Sequence, residues 1–473
     1  MAEFRLEKDS IGEKQVPVEA YYGVQSLRGA ENFVITHTRM HDEMINSLAY
    51  IKKACAIANN KVGEISDEVC NAIVQACDEI IAGKLHEEFI CDPIQGGAGT
   101  TANMNANEVI ANRAGEILGD AKGNYAKVHP NDHVNFGQST NDVYPTSGKI
   151  TIIRLIDKVL VQLNRMYDAL MAKSEEFDDV IKMGRTQLQD AVPVRLGQEF
   201  HAYASAVKRD LTRLEKAKEE LYAINMGGTA IGTGINANKE YFKSVSATLA
   251  EVADLPLYQT ADVIDGTQNL DCYVAVSGIL KTCVVTLSKM SNDLRLMSSG
   301  PRTGINEINL PAKQNGSSIM PGKVNPVIPE VMSQVAFLVV GNDMTVTMAA
   351  EAGQFELNAF EPVTFKCMIE SLVAMEGGIM TMVDNCITGI TANKERCESL
   401  VENSVGIITA IAPHVGYAKS AAVAKQAIKT GESVRKLTIE AGLATEEELN
   451  IILDAKGMTE PGISGEGKVN LNK

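Results

Sequence analysis

The run Gly316–Pro326 contains the residues of this chain that are best suited to chemistry. Two adjacent serines, Ser317 and Ser318, stand among glycines and prolines, which favour a loop because proline lacks a backbone donor and glycine accepts positive φ. Such a loop can gather backbone N–H groups around one hydroxyl and lower the cost of forming an alkoxide. Lys323 and Asn325, two residues apart, could hold a carboxylate. The alternative is a surface turn, where the same residue types are common.

Four other polar segments could contribute to a site with this loop. The segment 96–105 is rich in glycine at a predicted helix start, where backbone N–H groups can receive an anion. Segments 129–142, 184–190 and 227–234 are also polar, although helix caps or turns are competing interpretations of all four. None has the spacing of a Walker or dinucleotide-binding loop. Together with Gly316–Pro326, these segments supply hydroxyls, amides and one cation. The hydroxyls are those of Thr100, Ser139, Thr140, Thr186, Ser317 and Ser318. The amides are those of Asn141, Gln187 and Asn325, and the cation is Lys323.

Many neutral donors around one lysine suit a dicarboxylate, and they can stabilise negative charge that builds on a carboxylate in a transition state. The matching reaction is proton abstraction next to a carboxylate, followed by loss of a group from the neighbouring carbon. Because the segments are far apart in the sequence and flank long helices, we hypothesise a site shared between subunits. Metal ligation is not indicated, since the seven histidines show no paired ligand spacing.

Composition narrows the class of protein. A length of 473 residues predicts two or three domains, and 45% hydrophobic residues with 5% aromatics and no Trp favour helix-on-helix packing. A net charge of −16 argues against nucleic acid or an anionic membrane as the main partner. The nine cysteines contain no CxxC pair and are typical of reduced, buried thiols. Without a signal-like or membrane-spanning apolar run, the sequence predicts a soluble, cytoplasmic protein.

Long helices must position the polar segments. Apolar residues at helical spacing predict a long amphipathic helix over 151–179, and Pro193 is predicted to open the next one. The domain prediction is an N-terminal mixed helical domain over 1–142, a central long-helix domain over 143–394 and a small helical domain over 395–473. Other predicted helices lie in 44–82 (two, broken near Gly63), 102–118, 257–299, 330–352, 420–429 and 445–453, the last with a Thr445/Glu448 capping box.

At these residues the chain resembles the fumarase/aspartase superfamily over essentially its whole length. The run Gly316–Pro326 matches the signature loop of that superfamily, and within it the chain most resembles the aspartate ammonia-lyases, which reversibly convert L-aspartate to fumarate and ammonia. The resemblance implies a mainly α, three-domain fold whose long central helices form a twenty-helix bundle in a homotetramer, with active sites built from three subunits. It implies no required cofactor, although Mg2+ activates some members.

The resemblance also implies roles for individual residues. Ser317 corresponds to the general base that takes the Cβ proton when the loop closes. Lys323 and Asn325 correspond to the clamp on the α-carboxylate, and Asn141 and Thr186 to residues near the amino group. The donors around the β-carboxylate correspond to Thr100, Ser139, Thr140 and Ser318.

Class II fumarases, which share the fold, the loop and the base, are the competing assignment. They typically read Gly-Arg-Thr-His where this chain has Gln187 at the last position, and Gln-Ser-Ser-Asn-Asp where it has Thr140. Loss of hydroxide needs proton delivery to oxygen, for which histidine is suited, whereas an ammonium group already leaves as neutral ammonia. Glutamine cannot act as an acid near neutral pH, so Gln187 counts against a fumarase more than it identifies an ammonia-lyase, since some ammonia-lyases keep the histidine. A non-catalytic structural relative is a further alternative, against which the retained Ser317 and Lys323 count.

Overall fold

The computed structural model describes residues 3–471, and it is mainly α, as the sequence predicts. Within these residues, five helices exceed 20 residues, and the strands form four two-stranded sheets. The helices are α1 Val24–Asn32, α2 Asp42–Lys61, α3 Asp67–Ile81, α4 Thr100–Ile117, α5 Thr140–Glu176, α6 Leu196–Ala217, α7 Lys239–Ala253, α8 Asp265–Gln268, α9 Asp271–Met297, α10 Val327–Glu351, α11 Glu361–Asn385, α12 Lys394–Asn403, α13 Ile408–Val415, α14 Tyr417–Thr430, α15 Val434–Glu440, α16 Glu446–Ile452 and α17 Ala455–Met458.

The strands make short pairs that fix the loops between helices. Three pairs are antiparallel, β1 with β2, β3 with β4 and β7 with β8, while β5 and β6 are parallel. The β3–β4 hairpin is the one that carries a segment predicted to contribute to the site. The strands are β1 Phe4–Lys8, β2 Glu13–Pro17, β3 Ile181–Thr186, β4 Gln189–Arg195, β5 Ala223–Ile224, β6 Tyr258–Gln259, β7 Ile308–Asn309 and β8 Thr391–Ala392.

The backbone divides into two compact units, each made of three separate segments. Unit 1 comprises the chain up to Val161 together with Leu211–Val284 and Val335–Glu376. Unit 2 comprises Gln162–Asp210, Val285–Gln334 and the chain from Gly377 onward. The boundaries fall inside the five longest helices. The three-domain division at 142 and 394 stays a prediction.

Most predicted helices are confirmed. Two helices, α2 and α3, flank Gly63, and α4, α10, α14 and α16 match their predicted segments to within a few residues. The capping box is present: the Thr445 hydroxyl accepts from the Glu448 N–H, and the Glu448 carboxylate accepts from the Thr445 N–H. The nine cysteines, all within the described residues, are free thiols, and eight of them are buried, as predicted.

Three predicted boundaries are wrong. The helix predicted over 257–299 begins only at Asp271, since β6 at Tyr258–Gln259 and the short α8 precede it. Pro193 does not open a helix but lies in β4 opposite Met183, and α6 begins only at Leu196. The helix predicted from 151 begins at 140 instead and contains Pro145. A proline there cannot donate to the carbonyl of Asn141, and the Asn225 side chain donates to that carbonyl instead, at 2.9 Å. Helix α11 was not predicted.

Two long helices carry unusually apolar exposed surfaces. The helices α9 and α10 are long and apolar enough to span a membrane, but core helices of soluble proteins often have the same length and composition. In α10, only 33% of the apolar stretch long enough to span a membrane is buried within the chain. On α10, Phe337, Met344 and Met348 are 68%, 61% and 64% exposed. Exposed apolar surface of this kind is typical of interaction sites.

Candidate active site

In unit 1, Thr100 is the first residue of α4, and its side chain is exposed. Its hydroxyl donates to the carbonyl of Gly97 at 2.7 Å. The backbone before it is left-handed at three consecutive residues, with φ of 82° at Gly97, 52° at Ala98 and 88° at Gly99. A Cβ on Gly99 would overlap the ring of Tyr144. The close approach of this ring therefore fixes the position from which Thr100 projects.

The second predicted segment lies at the start of α5, next to α4. The Ser139 hydroxyl accepts from the N–H of Asn141 at 3.2 Å, and the Ser139 N–H donates to the Asp142 carboxylate at 2.9 Å. The side chain of Asn103, on α4, donates to the Thr140 hydroxyl at 3.2 Å. This bond brings the segment that begins at Thr100 together with Ser139, Thr140 and Asn141.

A buried lysine and a buried aspartate support the start of α5. Lys52 donates to the side-chain oxygens of Asn135 and Gln138, both at 2.9 Å, and the second carboxylate oxygen of Asp142 accepts from the Thr229 N–H at 3.0 Å. Burial lowers the pKa of Lys52 to about 8. Burial raises the pKa of Asp142 to about 6, against the effect of its N–H donors. Neither residue was identified from the sequence, since only the fold shows that both are buried.

The glycine-rich segment 227–234, interpreted from the sequence as a structural turn, is a turn and contacts a predicted site residue. Positive φ values at Gly227, Gly232 and Gly234 allow the chain to fold back. The Asn141 side chain then donates to the carbonyl of Ala230 at 2.7 Å. The segment therefore orients the Asn141 side chain through a backbone carbonyl.

In unit 2, backbone donors surround the hydroxyl of Ser317. Its oxygen accepts from the N–H groups of Ile319 at 3.1 Å and Met320 at 3.0 Å. Two fixed N–H dipoles aimed at one oxygen stabilise negative charge on it, which is what an alkoxide base requires. The Ser317 side chain is half-buried, whereas those of Ser318 and Lys323 are exposed.

The loop that carries Ser317 is closed on itself. The Gly316 N–H donates to the Lys323 carbonyl at 2.9 Å, and the Asn325 side chain donates to the Gly316 carbonyl at 2.8 Å. A Cβ on Gly316 would lie 2.6 Å from the Lys323 carbonyl oxygen, so closure requires glycine there. Lys323 and Asn325 also line a cavity of about 820 Å³, shared with Arg295 and Glu330.

The remaining predicted residues lie at the tip of the β3–β4 hairpin. Thr186 pairs with Gln189 across a two-residue turn, in which φ is 55° at Gln187 and 63° at Leu188. Positive φ at both central residues matches the right-handed twist of the strands and gives a short, stiff hairpin. Thr186 and Gln187 are exposed at its end, and both are available to a ligand.

Comparison with known proteins identifies the class. A lyase family model matches residues 12–341, and a model of the fumarase C C-terminus matches residues 407–460. The chain belongs to the fumarase/aspartase superfamily of lyases. Among its relatives are aspartate ammonia-lyases from Bacillus sp, 55% identical over 98% of both chains, and from Bacillus subtilis, 54% identical over 98% of both. The Escherichia coli K12 aspartate ammonia-lyase is 48% identical, over 97% of this chain and 96% of the relative.

Solved structures share the fold. The fumarate lyase:delta crystallin from Brucella melitensis, bound to cobalt, matches with a TM-score of 0.95 at 47% identity, over 97% of this chain and all of that one. A class II fumarase from Schistosoma mansoni matches with a TM-score of 0.93 at 35% identity, again over 97% of this chain and all of that one. The fold alone therefore does not distinguish a fumarase from an ammonia-lyase. The residues of the site must make that distinction.

Proposed function

We propose that this chain is a carbon–nitrogen lyase that converts L-aspartate reversibly to fumarate and ammonia. The observation that carries the proposal is the Ser317 hydroxyl, which accepts from two backbone N–H groups in a loop that also holds Lys323 and Asn325. Full-length aspartate ammonia-lyases at 48% to 55% identity support the same substrate.

The first chemical step breaks the Cβ–H bond of the substrate. Ser317, as an alkoxide, takes the proton, and the electron pair of that bond moves into the β-carboxylate to give a doubly charged aci-carboxylate. Fixed donors around this group lower the energy of the transition state because they need no reorganisation as the charge grows. The donors are assigned to Thr100, Ser139, Thr140 and Ser318.

The second step breaks the Cα–N bond. The electrons of the aci-carboxylate return to form the C=C bond of fumarate, while the C–N pair leaves with nitrogen as neutral ammonia. Lys323 and Asn325 hold the α-carboxylate, and Asn141 and Thr186 lie near the amino group. No acid is needed at this position, so Gln187, which can hydrogen-bond without donating a proton to the leaving group, suffices.

We assign the exposed apolar faces of α9 and α10 to contacts with other copies of the chain, in a homotetramer with a twenty-helix bundle and three-domain subunits. Such an assembly would let Thr100 and Ser317 of different subunits meet at one site. Hybrid tetramers assembled from Thr100→Ala and Ser317→Ala chains should regain activity that neither parent has. Absence of recovery in verified hybrids would contradict a shared site.

The cellular setting follows from the same assignment. With its apolar helices covered and a net charge of −16, the protein would be cytoplasmic, with a small dicarboxylate rather than nucleic acid or membrane as its ligand. The two steps balance without a cofactor. Mg2+ would act only as an activator: no group of three or more His, Cys, Asp and Glu side chains within residues 3–471 is arranged to hold a metal ion, and we assign it no step.

One assay tests the assignment: the purified protein is given L-aspartate or L-malate, and fumarate is followed by its ultraviolet absorbance. We expect turnover of aspartate. Turnover of malate alone would identify a fumarase, and silence with both substrates would identify a non-catalytic relative.

Two variants test the residue roles. Ser317→Ala should abolish turnover while the assembly remains intact by size-exclusion chromatography, because only the base is lost. Lys323→Ala should chiefly raise KM, since the α-carboxylate loses its cation. Substantial activity in Ser317→Ala would remove that residue from its role.

A further inference from the structure

A fully buried carboxylate lies in unit 2, at the junction of the two elements that carry the Ser317 loop and the Gln187 hairpin. Glu307 has 0% exposure and immediately precedes β7, from which the chain continues into the loop. One of its oxygens lies 2.8 Å from the Arg185 guanidinium and the other 3.1 Å from the Lys182 ammonium, both on β3. A single side chain thus ties β3 to the start of the loop.

The charges at this junction balance. Lys182 also donates to Glu199 at 2.9 Å, so two cations face two carboxylates. Burial opposes the charge of Lys182, but Glu199 and Glu307 outweigh this effect and raise its pKa. Lys182 and Glu307 are buried, while Glu199 and Arg185 are partly exposed, and the loss of any of the four would leave an uncompensated charge beside a buried one.

Backbone bonds fix Glu307 from both sides. Its N–H donates to the carbonyl of Met297, the last residue of α9, at 2.8 Å. Its carbonyl accepts from the N–H of Asn393, just before α12, at 2.9 Å. The side chain is therefore presented to β3 from an anchored backbone.

The residues at this junction are close in sequence to residues that are assigned to the active site. Arg185 immediately precedes Thr186, and only the two-residue turn Gln187–Leu188 lies between Thr186 and β4. On the other side, β7 and residues 310–315 separate Glu307 from the run Gly316–Pro326 that carries Ser317. We expect a displacement at the junction to reach Thr186 and Gln187 directly, and Ser317 along β7 and residues 310–315.

We propose that Glu307 is a positioning residue of the lyase reaction, which acts through Arg185 and Lys182 to hold the hairpin tip and the start of the loop in fixed places within unit 2. The inference rests on the proposed function, and it holds whether the hairpin and the loop serve one active site or two sites of the assembly. Glu307 itself touches no reacting atom.

The test replaces Glu307 by Gln, which keeps the shape and removes the charge. Misplacement of reacting groups by about 1 Å can cost on the order of 100-fold, so we expect kcat to fall roughly 10- to 100-fold. The primary isotope effect with C3-deuterated L-aspartate should rise as proton abstraction becomes more rate-limiting. Glu307→Asp, which restores the charge on a shorter side chain, should recover part of kcat.

Asp179→Asn is the matched control. It removes the same charge from another ion pair of unit 2, in which Asp179 lies 2.7 Å from Lys394 with both side chains exposed. Its kcat should equal that of the wild type.

Hydrogen–deuterium exchange of the intact assemblies supplies a readout that does not depend on activity. In Glu307→Gln, exchange should increase in 181–195 and 310–326 and stay unchanged in α13–α16. A uniform increase across unit 2, or a lower melting temperature with kcat retained, would show a merely structural role and overturn the inference. If Glu307→Gln fails to fold, Glu307→Asp carries the same comparison. A wild type that is inactive on aspartate would refute the proposed function, while the exchange pattern would still decide the role of Glu307.

Discussion

Gly99→Ala is a sharp test of how the start of α4 is built, because the chain offers a matched control. Gly99 and Gly63 both have left-handed φ values, of 88° and 80°. They differ in surroundings: a Cβ on Gly99 would overlap the ring of Tyr144, whereas a Cβ on Gly63 would meet nothing within 4 Å. The two substitutions therefore share the backbone cost and differ in the packing cost alone.

The magnitudes follow from this difference. Holding a residue with a Cβ in the left-handed region costs about 1 kcal/mol, and that is the whole expected loss for Gly63→Ala. Gly99→Ala must also displace a ring that is fully packed, for which overpacking costs about 1–3 kcal/mol more. We therefore expect Gly99→Ala to lose about 2–4 kcal/mol of unfolding free energy.

Denaturant unfolding of both variants checks the stabilities, and steady-state kinetics on L-aspartate check the function. Since Thr100 follows Gly99 directly, Gly99→Ala should also raise KM or lower kcat, while Gly63→Ala should leave both unchanged. Equal losses of unfolding free energy in the two variants would refute the account of the Gly99–Tyr144 contact.

The remaining predictions concern titration and thiol reactivity. The folded-state pKa of Asp142, about 6, exceeds the usual 3.8, so its stabilising contribution is fully present below pH 3.8 and is lost as the pH rises through 6. A difference of two pKa units corresponds to about 3 kcal/mol of unfolding free energy. Denaturant unfolding between pH 4 and 7 should show a loss of this size in the wild type relative to Asp142→Asn. Because Lys52 lowers the pKa of Asp142, Lys52→Met should shift this loss of unfolding free energy to higher pH. An unchanged pH dependence would contradict an interaction between Lys52 and Asp142. Of the nine thiols, only Cys272 is not buried, so a thiol reagent should modify at most one cysteine per native chain, and rapid reaction of several would contradict the burial.

Helical periodicity predicted most of the long elements but not where strands interrupt them. The segment around Pro193 reads as a helix start because proline is favoured there, yet its pairing with Met183 depends on a partner that is recognisable only in the fold. Likewise, α5 continues through Pro145 because Asn225 satisfies the carbonyl that the proline leaves free. Because Asn225 is far from Pro145 in the sequence, no local sequence pattern indicates that the helix can continue through the proline.

For the candidate site, the sequence indicated which residues are expected to touch substrate, and those roles stay predictions; it did not indicate the residues that support them. Ser317, Lys323 and Asn325 stand in one compact loop whose composition is itself informative. Lys52 and Glu307 look like ordinary charged residues in the sequence, and only their complete burial reveals their importance. Their partners lie on other elements, so no local spacing identifies them.

The self-closed loop has a consequence for the fate of the abstracted proton. Because Gly316 is hydrogen-bonded to both Lys323 and Asn325, we expect Ser317 and the residues assigned to the carboxylate clamp to move together. The motion that releases the product carboxylate would then also carry the protonated Ser317 into water. Isotope washout from C3 of aspartate into solvent should therefore keep pace with fumarate release and never outrun it.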